Sequence, residues 1–179
     1  GEIPKKLKLI NCVGGGSSAY GFWNEFFDYN KNQVELIGVE AGGPRNSKLH
    51  AAPLSKNSKL GILHGAAAYC VQNSDGQIDE TESISSGLDY PSVSPIHCFL
   101  KDSGRAKYTS ATDEEALEAF KLVSDLEEIS PSLEPAHAFA EAIKIAPKLD
   151  GSTCIVVDSC GDSLKDKDII KKRLGNYPR

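Results

Sequence analysis

Residues 12–23, CVGGGSSAYGFW, set three consecutive glycines and two serines between an apolar run and an amphipathic one. A glycine-rich turn from a strand into a helix exposes backbone N–H groups with no side chains in the way, and such a cup suits a phosphate. Ser17 and Ser18 add hydroxyl donors. No lysine lies inside the loop, so it matches neither G-x-x-x-x-G-K-[ST] nor a faithful G-x-G-x-x-G. A nucleoside triphosphate is therefore not expected, whereas a single phosphate carried on a cofactor is. Taken alone, the glycines serve equally well as a tight turn that holds nothing. The other reactive side chains form no pattern. Cys12, Cys70, Cys98, Cys154 and Cys160 are odd in number and lack C-x-x-C spacing, and His50, His64, His97 and His137 lack H-x-x-x-H spacing. No metal site is expected from them, and the free thiols suit a reducing compartment. Cys12, Cys70, Cys98 and Cys154 read as buried small hydrophobes, and His137 and Trp23 as packed core.

The elements around the loop follow from periodicity. Leu7 to Val13 is a short β-suited run, Trp23, Phe26, Phe27 and Asn30 recur at helical spacing, and Gln33 to Ala41 is a second strand. This βαβ unit predicts two parallel strands. From Gly42 to Pro95 the chain is rich in Gly, Ser, Pro and Asn, with short strands expected at GILHG and SDGQIDE. Thr112 opens a capping box with Glu115, followed by an apolar face of Ala116, Ala119, Phe120 and Val123. A second helix, EPAHAFAEAIKIA, sets Ala136, Phe139, Ala140 and Ile143 on one side. STCIVVDS is a continuous apolar strand, expected to be buried on both faces, and DKDIIKKRL closes as a short helix. The fold class is α/β, a three-layer, mostly parallel twisted sheet with helices on both faces. At 179 residues, with 40% apolar composition, the chain reads as one domain, 1–179. A net charge of −5 without a basic stripe argues against nucleic acid as a partner, and no apolar run approaches the ~20 residues of a membrane span. The chain starts at Gly1, lacks Met and reads as the interior of a longer protein.

CVGGGSSAYG, VELIGVEAGG, DGQIDETESISSGLDYPSVSP, TDEEALEAF and LEPAHAFAEA resemble, in that order and at matching spacings, the C-terminal half of the tryptophan synthase β subunit family. SISSGLDYPSV is the most specific of these stretches. The resemblance implies the C-terminal part of a fold-type II pyridoxal-phosphate enzyme, in which the hydroxyl of L-serine is replaced by indole to give L-tryptophan and water. It implies that Gly14, Gly15, Gly16, Ser17 and Ser18 hold the cofactor phosphate. Ser18 stands where the family usually has Asn. Glu134 matches the family's glutamate beside the pyridine ring, and Cys160, or Ser159 after a small shift, matches the serine facing the ring nitrogen. Asp89 matches an aspartate that pairs with an arginine after that serine in the closed enzyme. Here the segment SCGDSLKDKD is longer and has no arginine, so Lys165 or Lys167 is the expected substitute. Carbonyl groups of Gly14, Tyr90 and Ser92 match a monovalent-cation site for Na+ or K+, and Leu63 and His64 fall where the family lines its indole tunnel.

The family's Schiff-base lysine lies in its N-terminal half, and no lysine here matches that context. The resemblance therefore implies that this chain is inactive until completed by an N-terminal half, with an indole-making α subunit and a second β subunit as further partners. The location implied is cytoplasmic, or plastid. Two alternatives stay open: a serine/threonine dehydratase-like lyase, which Cys160-Gly161 supports, and a non-catalytic domain that binds a phosphorylated ligand or a partner. A half-enzyme is also expected to expose an apolar patch around the glycine loop and SISSGLDYPS.

Overall fold

Strand β1 (Lys6–Cys12) carries apolar residues on both faces, as the interior of a parallel sheet requires. Leu7 and Leu9 join one buried cluster with Ala19, Trp23, Cys98 and Leu100, while Ile10 and Cys12 join another with Ala119, Ala138 and Ala140. The structure, a computed structural model, describes residues 4–56 and 58–175. With β2 (Val34–Ala41), β5 (Ala106–Ala111) and β6 (Thr153–Val157), β1 forms a four-stranded parallel sheet in the order β5-β2-β1-β6. Helices α1 (Ser17–Trp23) and α2 (Pro95–Asp102) pack on one face, and α3 (Asp113–Glu127) and α4 (Leu133–Ile145) on the other. A short helix, α5 (Lys167–Leu174), lays Ile170 against Leu133 and Phe120.

Local chemistry explains the boundaries. At the start of α3 the Thr112 hydroxyl accepts from the Glu115 amide at 3.3 Å, and the Glu115 carboxylate accepts from the Thr112 amide at 2.8 Å. The long Gly/Ser-rich stretch contains one antiparallel hairpin, β3 (Lys59–Leu63) and β4 (Ala66–Cys70). Its turn is His64-Gly65, both at positive φ, which suits the right-handed twist of a two-residue hairpin. SDGQIDE is a turn and not a strand: the Asn73 side chain accepts from the amides of Asp75 and Gln77, leaving a single bridge between Gln72 and Ile78.

Three expectations are corrected. β6 is not buried on both faces, because it lies at the edge of the sheet: Ile155 and Val157 pack under α4, while Cys154 and Val156 are exposed. On α4 the covered side includes Leu133, Pro135, His137 and Ala138, and Ile143 lies exposed. The aliphatic side chains in SISSGLDYPS, Ile84 and Leu88, are buried; beside the glycine loop Tyr20 is exposed, and the most exposed apolar side chains sit elsewhere, among them Leu60 and Ile62 on β3 and Phe99 on α2.

Candidate functional site at the carboxyl ends of the strands

The glycine loop leaves the carboxyl end of β1, where open α/β sheets place their ligands. Gly16 caps α1 at φ 99°, ψ 3°, a left-handed conformation that glycine adopts without penalty. A Cβ there would overlap the His97 imidazole, and one on Gly14 would overlap the Gly87 carbonyl. Gly15, by contrast, has open space around it and is exposed. Among the described residues, the amides of Gly14, Gly15 and Gly16 donate to no backbone or side-chain group. Ser17 and Ser18 are exposed at the rim. Three unpartnered amides in a row, with open space at Gly15, are the kind of backbone feature that suits an anion.

His97 fixes this loop from beneath. Its ring is fully buried, with Nε2 2.7 Å from the Gly16 carbonyl and Nδ1 2.8 Å from the Tyr108 hydroxyl, and it stands edge-on to Trp23. An Nε2–H donor to Gly16 leaves Nδ1 to accept from Tyr108, so the neutral ring satisfies both partners. Burial lowers its pKa and keeps it in that form. Sequence reading missed this residue because its partners lie 81 and 11 positions away; its apolar neighbours in SPIHCFL were the one available sign of burial.

Behind the loop, the buried Asn11 side chain donates to Asp158 Oδ2 at 2.8 Å, and Ser18 Oγ donates to the same oxygen at 3.1 Å. Ser18 has one hydroxyl hydrogen, so in this arrangement only its lone pairs and amide remain for a ligand. Cys160 Sγ lies 3.7 Å from Cys12 Sγ, and that hydrogen bond lowers the Cys160 thiol to about 7 against the opposing effect of burial. Gly161 is pressed on Ser132, where a Cβ would come within 2.6 Å of Oγ, and its carbonyl accepts from the Ser132 amide. Ser159 is exposed and makes no hydrogen bond among the described residues. Cys12, Cys70 and Cys98 are buried as expected; Cys154 is exposed because β6 is an edge strand.

Glu134 reaches back from the first turn of α4 to accept from the Gly87 amide at 2.9 Å. Gly87 in turn abuts Gly14, so Glu134, the SSGLDYPS turn and the glycine loop form one connected wall. Burial alone would raise the Glu134 carboxyl, but Lys165, 2.7–2.8 Å from its oxygens, overcomes that and helps hold it at about 2. Lys165 also pairs with Asp166 at 2.8 Å. Lys165 therefore stands at Glu134 in this structure, whereas the expectation set Lys165 or Lys167 at Asp89. Asp89 and Lys167 are exposed, and neither makes an ion pair among the described residues. The Tyr90 hydroxyl meets His64 Nδ1 at 2.9 Å with the rings stacked, and Ser92 is buried, its hydroxyl donating to the Tyr69 carbonyl and accepting from Cys70. The Ser94 amide donates to the Gly15 carbonyl at 2.9 Å, which brings the 90–94 segment beside the loop.

Away from this site, Glu40 at the end of β2 is a buried carboxylate whose oxygens accept from the amides of Leu54 and Ser55 and from the Ser55 hydroxyl. Burial raises it to about 7 against those hydrogen bonds. His137 is packed, with Nδ1 2.7 Å from the Leu133 carbonyl one turn earlier. Among the described residues no cluster of His, Cys, Asp or Glu is built to hold a metal, and no helix is long and apolar enough to cross a membrane.

No protein-family model matches the chain. Over 175 residues, 98% of its length, it is 46% identical to the tryptophan synthase beta chain of Rhodopseudomonas palustris (strain BisA53), of which it spans 42%. In structure it is similar to a fungal L-serine ammonia-lyase from Rhizomucor miehei, with a TM-score of 0.61 at 18% identity, covering 96% of this chain and 50% of the other. At that identity the likeness concerns the fold alone, and it agrees with the parallel α/β architecture. The chain is thus a relative of the tryptophan synthase β chain along nearly its whole length, while spanning less than half of that protein.

Proposed function

We propose that this relative of the tryptophan synthase β chain is the cofactor-phosphate-holding part of a pyridoxal-phosphate lyase that makes L-tryptophan from L-serine and indole. The reading is carried by the unpartnered amides of Gly14, Gly15 and Gly16, which stand in one wall with Glu134 and just beyond Cys12, the neighbour of Cys160. In this reading the amides of residues 14–16 and the Ser17 hydroxyl bind the phosphate. The Ser18 hydroxyl joins them when it turns from Asp158. Pyridoxal phosphate, when bound, supplies the electron sink that loosens the α-proton and the β-substituent of an amino acid. Cys160, or Ser159 after a small shift, faces the ring nitrogen; neither is a carboxylate, and the nitrogen is left largely unprotonated. Glu134 stays ionised beside the ring because Lys165 holds its charge. Asp89 is exposed and free to meet a partner on closure, and the carbonyls of Gly14, Tyr90 and Ser92 are offered to Na+ or K+.

The lysine that carries the cofactor comes from an N-terminal half, and the α subunit and a second β subunit are the expected partners in a reducing compartment, cytoplasm or plastid. A titration with pyridoxal phosphate, followed by visible absorbance, tests the reading. The cofactor band should be strong only when a tryptophan synthase β N-terminal half is added, and borohydride should fix the cofactor to the added half. A stoichiometric band on this chain alone, fixed to one of its own lysines, would sink the assignment. Cys160-Gly161 favours a second reading, a serine/threonine dehydratase-like lyase. Serine with and without indole separates the two by product, tryptophan or pyruvate.

A further inference from the structure

Cys12 is buried at the end of β1, and Cys160 is exposed three residues beyond Val157, the last residue of β6. The two strands are hydrogen-bonded neighbours, and the Asp158 amide still donates to the Ile10 carbonyl at 3.1 Å, so the segments leave the sheet side by side. Neighbouring strands run ~4.8 Å apart, inside the Cα separation of about 4.4–6.8 Å that a disulfide spans. The sulfurs are 3.7 Å apart. They need to close by about 1.7 Å to bond, within reach of side-chain rotation. The other thiols lack such a neighbour: Cys70 donates to Ser92, Cys98 accepts from the Tyr69 amide, and Cys154 stands alone on the outer face of β6.

We propose that Cys12 and Cys160 are an oxidisable dithiol beside the glycine loop, which a hydroperoxide closes to an intramolecular disulfide. The Cys160 thiolate attacks one peroxide oxygen, the O–O bond breaks, an alcohol leaves with the thiol proton, and Cys160 becomes a sulfenic acid. The Cys12 sulfur attacks that sulfur, the S–O bond breaks, and hydroxide leaves with the Cys12 proton as water. The two thiols give up two electrons, and the peroxide takes them. The order follows from access and charge: Cys160 is exposed, and its hydrogen bond with Cys12 favours its thiolate, while the same bond and burial push Cys12 up. The disulfide draws Cys160 toward β1 and away from the ring nitrogen. This last consequence rests on the cofactor reading above, in which a bound ring covers Cys160.

The test treats cofactor-free protein with tert-butyl hydroperoxide and follows thiol count, intact mass and peptide map. Two thiols and two hydrogen atoms should be lost, with one linked peptide joining Cys12 to Cys160 and full reversal by dithiothreitol. In Cys12→Ser, Cys160 should stop at a sulfenic acid that dimedone traps. In Cys160→Ser, changed at an exposed position, oxidation should leave Cys12 free. Linkage through Cys154, or oxygen added to Cys160 while Cys12 stays reduced in the unmutated chain, overturns the proposal. In the chain completed by a tryptophan synthase β N-terminal half, pyridoxal phosphate added beforehand should slow closure several-fold relative to the same complex without it. Closure at an undiminished rate would overturn the cofactor placement while leaving the dithiol intact.

Discussion

At the carboxyl ends of β1, β2 and the segment after β6, Asn11 Nδ2, the Glu40 carboxylate and Asp158 Oδ2 are engaged by other protein groups, and His97 spends both ring nitrogens. At the amino ends of the same strands, Lys8 and Lys107 pair with Glu35, and Lys6 pairs with Asp150, on side chains that solvent reaches. Among the described residues, the first set leaves the Gly14–Gly16 amides without partners while the groups beneath them are engaged. The second set pairs its charges with one another. The exposed pair Lys6–Asp150 and the exposed Lys107 ammonium contribute little, because solvent and salt screen them, whereas Lys8 and Glu35 are largely buried. A ligand site is recognised here less by charge than by donors left over after a rigid surround has been completed.

Substitutions at the two ends should therefore differ in size. Gly16→Ala strikes hardest: it forces an L-residue to φ 99° and drives a methyl into His97. We expect a loss of about 4 kcal/mol in urea unfolding, strain and overpacking combined. His97→Ala removes the buried ring and strands the Gly16 carbonyl and Tyr108 hydroxyl, for about 3 kcal/mol. Tyr108→Phe, which leaves the bond to Gly16 intact, should cost about 1 kcal/mol by the same assay. Equal costs for the two variants would show that neither the packing of the His97 ring nor its bond to Gly16 stabilises the loop.

Lys165→Met comes next, at about 1 kcal/mol once screening of this half-exposed ammonium is allowed for. Its signature lies in the pH dependence. Glu134 is held at about 2, below its ordinary 4.5, so its contribution is present above pH 4.5 and is lost as pH falls toward 2. Stability measured through that window should fall less steeply in Lys165→Met than in the unmutated chain; parallel curves would refute the pairing. The smallest effect belongs to the other end of the sheet. Lys107→Gln, 77% exposed at its side chain, should shift stability by no more than about 0.5 kcal/mol, and less in high salt. A larger loss would erase the contrast between the two ends.

What could be read in the sequence was local. The β1–loop–α1 unit announces itself by a change of apolar period across three glycines, although the α-helix ends at Trp23 and gives way to a 3-10 turn, Asn24–Phe26, before Phe27 and Asn30; the Thr112–Glu115 box needs only four residues. β6 was misjudged because STCIVVDS looks the same at the edge of a sheet as at its centre; strand order, which no short window contains, decides its exposure. The partner of Lys165 was out of reach for a similar reason: neither Asp89 nor Glu134 lies within a short window around it, and the docking of Ser132 on Gly161 brings Glu134 to it. The family resemblance supplied the site residues that periodicity could not. It did not supply His97, Asn11 or Asp158, whose roles depend on contacts spanning the fold.

Two of those contacts also bear on the order in which the molecule assembles. Asn11 meets Asp158 across 147 residues of chain and Cys12 meets Cys160 across 148, whereas α3 and α4 are consecutive neighbours. Closing so long a loop carries a large entropic cost before any contact offsets it, and folding slows as such separations grow. The floor beneath the glycine loop is thus completed only after β6 has been synthesised and has found β1. During refolding, helical signal from α3 and α4 should return first, and the ability to hold a phosphate should return with the slowest phase.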